Sequence, residues 1–165
     1  DESIYYEIIR KKTASLLASC FAVGAASASS SEDEVKQMWK IGEYLGMAFQ
    51  IKDDIFDFEK TNIIGKPTGI DIKEKKMTLP LIYLINNSSP SGKRSIIRNI
   101  KKHSKDKKYT DKIIEEVRNS GGIKYATEKM IEYTDMALEL LKAFPENESR
   151  KALEQLIEFS ISRND

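Results

Sequence analysis

The sequence predicts an all-α protein, and two observations support that prediction. Apolar residues recur at helical spacing along most of the chain, whereas no segment alternates with strand period over a useful length. Glycine, proline and serine stand where the helical patterns stop. The 165 residues suffice for one domain with a substantial core, and they show no internal repeat and no low-complexity linker.

The composition favours a soluble protein in a reducing compartment. The 27 basic and 26 acidic residues give a net charge of +1, which argues against a general nucleic-acid or membrane-surface protein. Cys20 is the single cysteine and has no partner for an intrachain disulfide. No apolar stretch approaches the roughly 20 residues of a membrane span, and no secretory pattern opens the chain. We therefore expect a cytoplasmic location, no membrane span and no nucleic-acid partner.

A first helix is predicted over residues 3–29. Its second half is rich in alanine, serine and glycine, which let a neighbouring backbone approach closely, and the dipeptide Lys12-Thr13 interrupts its apolar pattern. The segment 29–34 is a helix start, because serine hydroxyls cap helices and acidic residues suit a first turn. A long helix is then expected from about residue 32 to residue 62.

A charged, irregular connector is predicted over residues 61–77, because glycine and proline interrupt any helix there. Thr78 is placed to cap the next helix, with Pro80 in its first turn. Four further helices are expected, at 91–103, 109–120, 122–144 and 147–163.

Several features have plain interpretations. The basic stretch from Arg98 to Lys112 is interpreted as a solvated face, since it lacks the aromatic interleaving of single-strand binders. His103 and Arg163 are expected on the surface. Trp39 and Cys20 are interpreted as core or interface residues.

The long helix carries three carboxylates inside a strongly apolar run near its C-terminal end. Asp53 and Asp57 are four residues apart and stack on one helical face. Gln50 lies one turn earlier on that face, whereas Asp54 is turned about 100° away. A helix that is apolar nearly all round is normally buried. Two carboxylates about 6 Å apart at an effective dielectric near 20 repel by roughly 3 kcal/mol, so a cation, lysines or a proton should compensate.

The available ligands favour a hard divalent cation as that compensation. The run offers only oxygen donors, which disfavours zinc and favours Mg²⁺ or Mn²⁺. It lacks the alternating acids and glycine of a calcium loop. Mg²⁺ usually takes one or two carboxylates plus substrate phosphates, and lysines of the adjacent connector would complement phosphate. The combination predicts diphosphate binding, although Asp-Asp-x-x-Asp alone is a weak signal that also suits a solvated acidic face.

Three stretches together carry a resemblance to a known family. Residues 46–57, followed by residues 65–81, closely resemble the second aspartate-rich region of trans-polyprenyl diphosphate synthases. Residues 11–14 resemble the Lys-Thr helix motif of that family, and residues 162–165 are similar to its C-terminus. The resemblance implies an all-α isoprenoid-synthase fold, in which residues 1–165 form the C-terminal portion of a single helical-bundle domain.

The resemblance also implies a reaction and a metal site. An allylic prenyl diphosphate ionises, the double bond of isopentenyl diphosphate attacks the cation, and loss of a proton yields a longer all-trans polyprenyl diphosphate. Asp53 would be the main Mg²⁺ ligand, with Asp54 and Asp57 assisting directly or through water. The family further implies a homodimer.

Five other residues receive roles by position in the family motifs. Lys12, Lys66 and Lys76 would bind the allylic diphosphate. Thr13 and Gln50 would line the path of the allylic cation. Mg²⁺ and lysines stabilise charge on a departing diphosphate, and an apolar surround keeps water from the carbocation.

The chain departs from the family pattern in two places. The family has two aspartate-rich motifs and this chain has one; the first motif, with the basic residues for isopentenyl diphosphate, would precede Asp1. Lys75 stands where relatives often carry glycine. We therefore interpret the chain as the C-terminal half of such an enzyme, inactive alone, and the residues that set product length lie outside it.

Two alternatives stay open. The chain could be a non-catalytic subunit of a heteromeric prenyl synthase, although its intact aspartates and lysines argue against a silent partner. It could also be a helical binding module without a metal site. A terpene cyclase would share the fold class, but its second metal motif carries asparagine, serine and glutamate at longer spacing, which this chain lacks.

Overall fold

The computed structural model describes residues 1–59 and 68–162, and within these ranges the chain is helical with no strand. The predicted all-α class is confirmed. The elements are α1 (Glu2–Ile9), a π-helical segment (Arg10–Ala14), α2 (Ser15–Ser27), α3 (Glu32–Phe56), α4 (Ile70–Lys73), α5 (Leu79–Asn86), α6 (Pro90–His103), α7 (Lys107–Ser120), α8 (Gly122–Leu141) and α9 (Glu148–Ser162).

The chain forms two compact units. Of the described residues, the first unit holds 1–5 and 51–128, and the second holds 6–50 and 129–162. The expected single domain therefore stays a prediction, and each unit is described by itself below.

The first unit is built around a core of large aliphatic side chains from α5, α6 and α7. These helices bury their apolar faces against Phe58, two residues after the end of α3, and against Ile72 of α4. The buried members are Phe58, Ile72, Leu81, Leu84, Ile85, Ile96, Ile100, Ile113, Ile114 and Val117. At full burial each contributes about 1.5–3 kcal/mol to folding, so this core fixes the end of α3.

The second unit packs α3 closely against the π-helical segment and α2. A Cβ added to Gly46 would lie 2.5 Å from Ala14 Cα, and one added to Gly42 would lie 2.7 Å from the Leu17 carbonyl oxygen. Ala14 and Ala18 are fully buried, as the small residues predicted. The buried core of this unit is Ile41, Leu45, Ala137, Leu141 and Ile157.

The start of α3 is a capping box. Ser31 Oγ accepts a hydrogen bond from the Glu34 backbone N–H at 3.3 Å, and Glu34 Oε2 accepts from the Ser31 N–H at 2.8 Å. The Ser31 N–H bond, followed by a 2.8 Å bond that the Ser31 hydroxyl donates to Glu34 Oε2, lowers the pKa of Glu34. The helix start expected from the serine and acid cluster is confirmed.

The end of α3 differs from the prediction. The helix stops at Phe56 instead of about residue 62. The carbonyl of Asp57 accepts the Gly69 N–H at 3.1 Å, and the carbonyl of Phe58 accepts Arg118 Nε at 2.6 Å. Because these carbonyls are satisfied by residues distant in sequence, no further helical turn is needed to pair them.

Three smaller expectations also need correction. The predicted connector contains the short helix α4 within its described part. Thr78 does precede α5, but its side chain makes no capping bond, and Thr78 Oγ1 is the buried side-chain atom of the described residues that lacks a hydrogen-bond partner. Trp39 and Cys20 are exposed, so the core interpretation of both is wrong. Arg163 lies outside the described residues.

Candidate functional site

The apolar residues around the aspartates at the end of α3 are buried, as the sequence predicts. Ile51, Ile55 and Phe58 are at most 1% exposed. Lys52 is also buried, and its ammonium lies 4.6 Å from the centre of the Phe56 ring. The predicted aspartates therefore sit on a rigid, packed support.

Asp57 ties the end of α3 to the start of α4. Its Oδ1 accepts the Ile70 N–H at 2.8 Å, and its Oδ2 accepts the Asp71 N–H at 3.2 Å. Gly69, which donates to the Asp57 carbonyl, has a φ of 77°, a left-handed conformation that favours glycine. A Cβ there would also lie 2.5 Å from Thr110 Cγ2.

The pKa of Asp57 is raised above its ordinary value. Burial is the largest cause and the neighbouring Asp71 is the second, while the backbone N–H bonds from residues 69–71 act in the opposite direction. The repulsion expected between Asp53 and Asp57 stays a prediction, and the structure adds Asp71 as a further carboxylate that crowds Asp57. Among residues 1–59 and 68–162, the neighbouring groups therefore leave the charge of Asp57 incompletely compensated.

Asp54 and Asp53 have different surroundings. Asp54 is buried, and its Oδ2 accepts a 2.7 Å hydrogen bond from the Tyr5 hydroxyl. Asp53 is partly exposed on the face that it shares with Asp57. Asp53 and Asp57 are thus the accessible carboxylates of the motif, while the predicted metal role of Asp54 competes with its buried hydrogen bond.

Lys76 reaches the same acidic region through Asp71. Its ammonium lies 2.7 Å from Glu74 Oε2 and 3.1 Å from Asp71 Oδ1, and these two partners, Glu74 first, raise its pKa. The preceding Lys75 has a φ of 60°, which explains physically why glycine suits this position. Lys66, the other lysine predicted in the connector, lies outside the described residues.

The π-helical segment brings two other predicted residues together. Thr13 Oγ1 donates to Gln50 Oε1 at 2.8 Å, between the π-helical segment and α3 of the second unit. Lys12 is exposed and forms no ion pair with any residue in the described ranges. π-Helical turns occur frequently at functional sites, since one extra residue redirects the side chains that follow.

The described residues contain no group of three or more His, Cys, Asp or Glu side chains that could hold a metal ion. Such a cage is not required for Mg²⁺, which commonly uses one or two carboxylates and takes its other ligands from substrate phosphates and water. Asp53 and Asp57 supply oxygen donors of that kind, and the raised pKa of Asp57 marks an anion that a cation would stabilise. The donor set therefore fits a hard divalent ion.

Sequence reasoning missed the residues that position the motif. Tyr5 bonds Asp54, Asp71 crowds Asp57, and Arg118 binds the Phe58 carbonyl from α7. No local pattern marks Tyr5 or Arg118, because the contacts span 49 and 60 residues. Asp71 did carry a signal, as an acid in the charged connector directly after the motif.

Comparison with known proteins identifies the family. Residues 1–117 match the polyprenyl synthetase family. The chain belongs to that family. A short chain isoprenyl diphosphate synthase of Methanothermobacter thermautotrophicus is 33% identical over 163 residues, which are 98% of this chain and 50% of the relative.

Solved structures of this polyprenyl synthetase family share the fold. Geranylgeranyl pyrophosphate synthase from Bacteroides thetaiotaomicron matches with a TM-score of 0.90 at 37% identity, covering 99% of this chain and 54% of that one. A polyprenyl synthase from Caulobacter crescentus CB15, complexed with calcium and isoprenyl diphosphate, matches with a TM-score of 0.90 at 34% identity, covering 100% and 51%. The fold is thus the all-α isoprenoid-synthase fold.

This family member spans about half the length of the relatives that it matches. The residues matched by the family, 1–117, include the predicted aspartate-rich segment at 46–57 and Lys12-Thr13. None of the helices within the described ranges is both long and apolar enough to cross a membrane.

Proposed function

We propose that this chain supplies the allylic-diphosphate side of an Mg²⁺-dependent polyprenyl diphosphate synthase. The observation that carries the proposal is the accessible Asp53–Asp57 face at the end of α3, where the pKa of Asp57 is raised. The family match and the lysines of residues 66–76 support it. The reaction proposed for the whole enzyme joins isopentenyl diphosphate to an allylic diphosphate and yields a longer all-trans chain.

Asp53 and Asp57 are proposed to hold the divalent ion. Asp54 is proposed to assist by holding the last turns of α3 in place through its hydrogen bond with Tyr5. When bound, Mg²⁺, or Mn²⁺ in its place, supplies positive charge to the departing diphosphate. Lys12, Lys66 and Lys76 are proposed to bind the diphosphate oxygens. For Lys76 this requires leaving Glu74 and Asp71, because its ammonium is paired with both.

Thr13 and Gln50 are proposed to line the path of the allylic cation. Their mutual hydrogen bond fixes both side chains, so that oxygen lone pairs are held in place before the substrate ionises. The buried aliphatic residues around the end of α3 exclude water that would otherwise quench a carbocation. A cytoplasmic location and a homodimer complete the proposal, on the single cysteine and on the resemblance to the family.

Binding of a bisphosphonate, a non-hydrolysable diphosphate analogue, tests the proposal by calorimetry with and without Mg²⁺. We expect Mg²⁺-dependent binding that falls at least about tenfold in Asp53→Ala, a loss of roughly 1.4 kcal/mol. The matched control is Asp111→Ala, which removes an exposed aspartate that has no ion pair among the described residues of α7.

Absence of Mg²⁺-dependent binding would contradict the proposal and favour the helical binding module. Equal weakening by both substitutions would show that the general negative charge of the chain, and not the aspartate motif, recruits the Mg²⁺ that the bisphosphonate needs. Binding that needs Asp53, in a natural protein that catalyses no prenyl transfer, would favour the non-catalytic subunit.

A further inference from the structure

The nearly neutral net charge hides a strongly basic segment. Residues 93–108 contain eight lysines and arginines and a single acid, Asp106, although the whole chain has a net charge of only +1. The rest of the chain is therefore net acidic. Balanced composition had argued against a membrane-surface protein, but that argument holds only when the charges are mixed.

The helix α6 separates its charged and apolar residues. Ile96 and Ile100 point into the core of the first unit and are at most 7% exposed. Four of its exposed cations lie together, and we call them the basic face; they are Arg94, Arg98, Lys101 and Lys102. With the partly exposed Ile97, the same four side chains line a shallow cavity of about 280 Å³.

These cations are not neutralised within the described ranges of the chain. Ion pairs are common there, as in Lys112 with Glu116 on α7 and Lys36 with Glu32 on α3. No ion pair with a described residue involves the basic face, nor the four other lysines of residues 93–108. Like charges one turn apart on a helix repel, so this arrangement lowers helix stability unless an anionic surface lies against it.

We propose that the basic face docks on the surface of an anionic lipid bilayer. Clusters of four to eight lysines and arginines are attracted to anionic leaflets without any inserted helix, and the apolar side of α6 is already occupied by the core. The cavity between the four cations is of a size and charge suited to lipid phosphate groups.

A nucleic acid fits this surface less well. Single-strand binders interleave exposed aromatic rings with cations, and the nearest ring, Tyr109, is already stacked on His103 with 4.6 Å between ring centres. Docking on a bilayer goes beyond the proposed function and does not depend on it. It would bring an enzyme with a lipid product next to the phase that accepts that product.

Flotation of the full 165-residue chain with lipid vesicles tests the proposal. One set of vesicles is phosphatidylcholine, and the other contains phosphatidylglycerol in addition. The variant Arg94→Gln, Arg98→Gln, Lys101→Gln, Lys102→Gln removes the basic face. The control Lys36→Gln, Lys124→Gln, Lys142→Gln, Lys151→Gln removes the same number of charges from cations that are ion-paired elsewhere.

We expect the wild-type chain and the control to float with anionic vesicles only, and high salt to release them. The basic-face variant should partition on the order of 100-fold more weakly, since each cation contributes a severalfold factor near an anionic surface. Bisphosphonate binding, measured in parallel, should be unchanged in this variant, which separates failure of docking from failure of the proposed function.

Three results would overturn the proposal. The first is no flotation with anionic vesicles. The second is an equal loss in the variant and the control, which would make net charge the cause. The third is tighter binding of a mixed-sequence RNA or DNA oligonucleotide than of the anionic vesicles, with loss in the basic-face variant, which would assign the surface to nucleic acid.

Discussion

Single residues of this chain show how the aspartate motif is held. Asp54 follows Asp53 directly, yet its carboxyl group is buried and bonded to Tyr5 from α1. A hydrogen bond to a charged group contributes about 1.5–3 kcal/mol to stability. The bond therefore anchors the last turns of α3, on which the proposed metal ligands depend.

Replacing the hydroxyl of Tyr5 tests this anchor. Tyr5→Phe should lower the free energy of unfolding by about 2 kcal/mol, because Asp54 loses a buried donor while the ring keeps its packing. Urea denaturation measures the change. Tyr109→Phe is the matched control, since its hydroxyl donates to no described residue, and we expect a change below about 0.5 kcal/mol. An equally large loss of stability in Tyr109→Phe would contradict this prediction, because it would show that the loss does not depend on the bond to Asp54.

Residue-scale chemistry was only partly predictable from the sequence. The burial of Ile51 and Ile55 beside the acids of α3 followed from the apolar run in the sequence. That Asp71 crowds Asp57 could not be predicted, because the fold of the connector decides which carboxylates meet. The left-handed backbone at Lys75 was signalled in the sequence only by the expected departure from the pattern of the resembling family.

At the scale of elements, the helices with strong periodicity were predicted well and their interruptions were not. The α3 start was predictable because a capping box is a local pattern. The π-helical segment was not, although Lys12-Thr13 was seen to interrupt the pattern, because its hydrogen bonding depends on packing against α3. The end of α3 was also not predicted. The carbonyls that follow this helix accept hydrogen bonds from Gly69 and Arg118, which are distant in sequence.

The contact between α3 and the π-helical segment yields an element-scale prediction. Gly46→Ala should destabilise the protein by about 2 kcal/mol, because the added methyl would lie 2.5 Å from the Ala14 backbone, which cannot move aside as a side chain can. In the helix α2, Gly24→Ala meets no atom within 4 Å and should stabilise by up to about 1 kcal/mol. Thermal unfolding of both variants measures the difference, and a stable Gly46→Ala would mean that the two backbones are not in close contact.

At the scale of the whole molecule, the chain leaves apolar side chains uncovered. Leu16, Val23 and Phe159 of the second unit are each 66% exposed. The relatives are about twice as long as this chain. The residues proposed here serve one of the two substrates, and a condensation needs both diphosphates held at once.

We therefore expect the 165-residue chain by itself to transfer no prenyl group. Labelled isopentenyl diphosphate and an allylic diphosphate are incubated with the chain and Mg²⁺, and organic-extractable product is counted. A full-length family member is the positive control, and the Asp53→Ala chain sets the background. Product should equal that background even where bisphosphonate binding is intact, because Asp53, Asp57 and their lysines stabilise a departing diphosphate but provide no second site. Product above the Asp53→Ala level would contradict this expectation and would place both substrate sites within these residues.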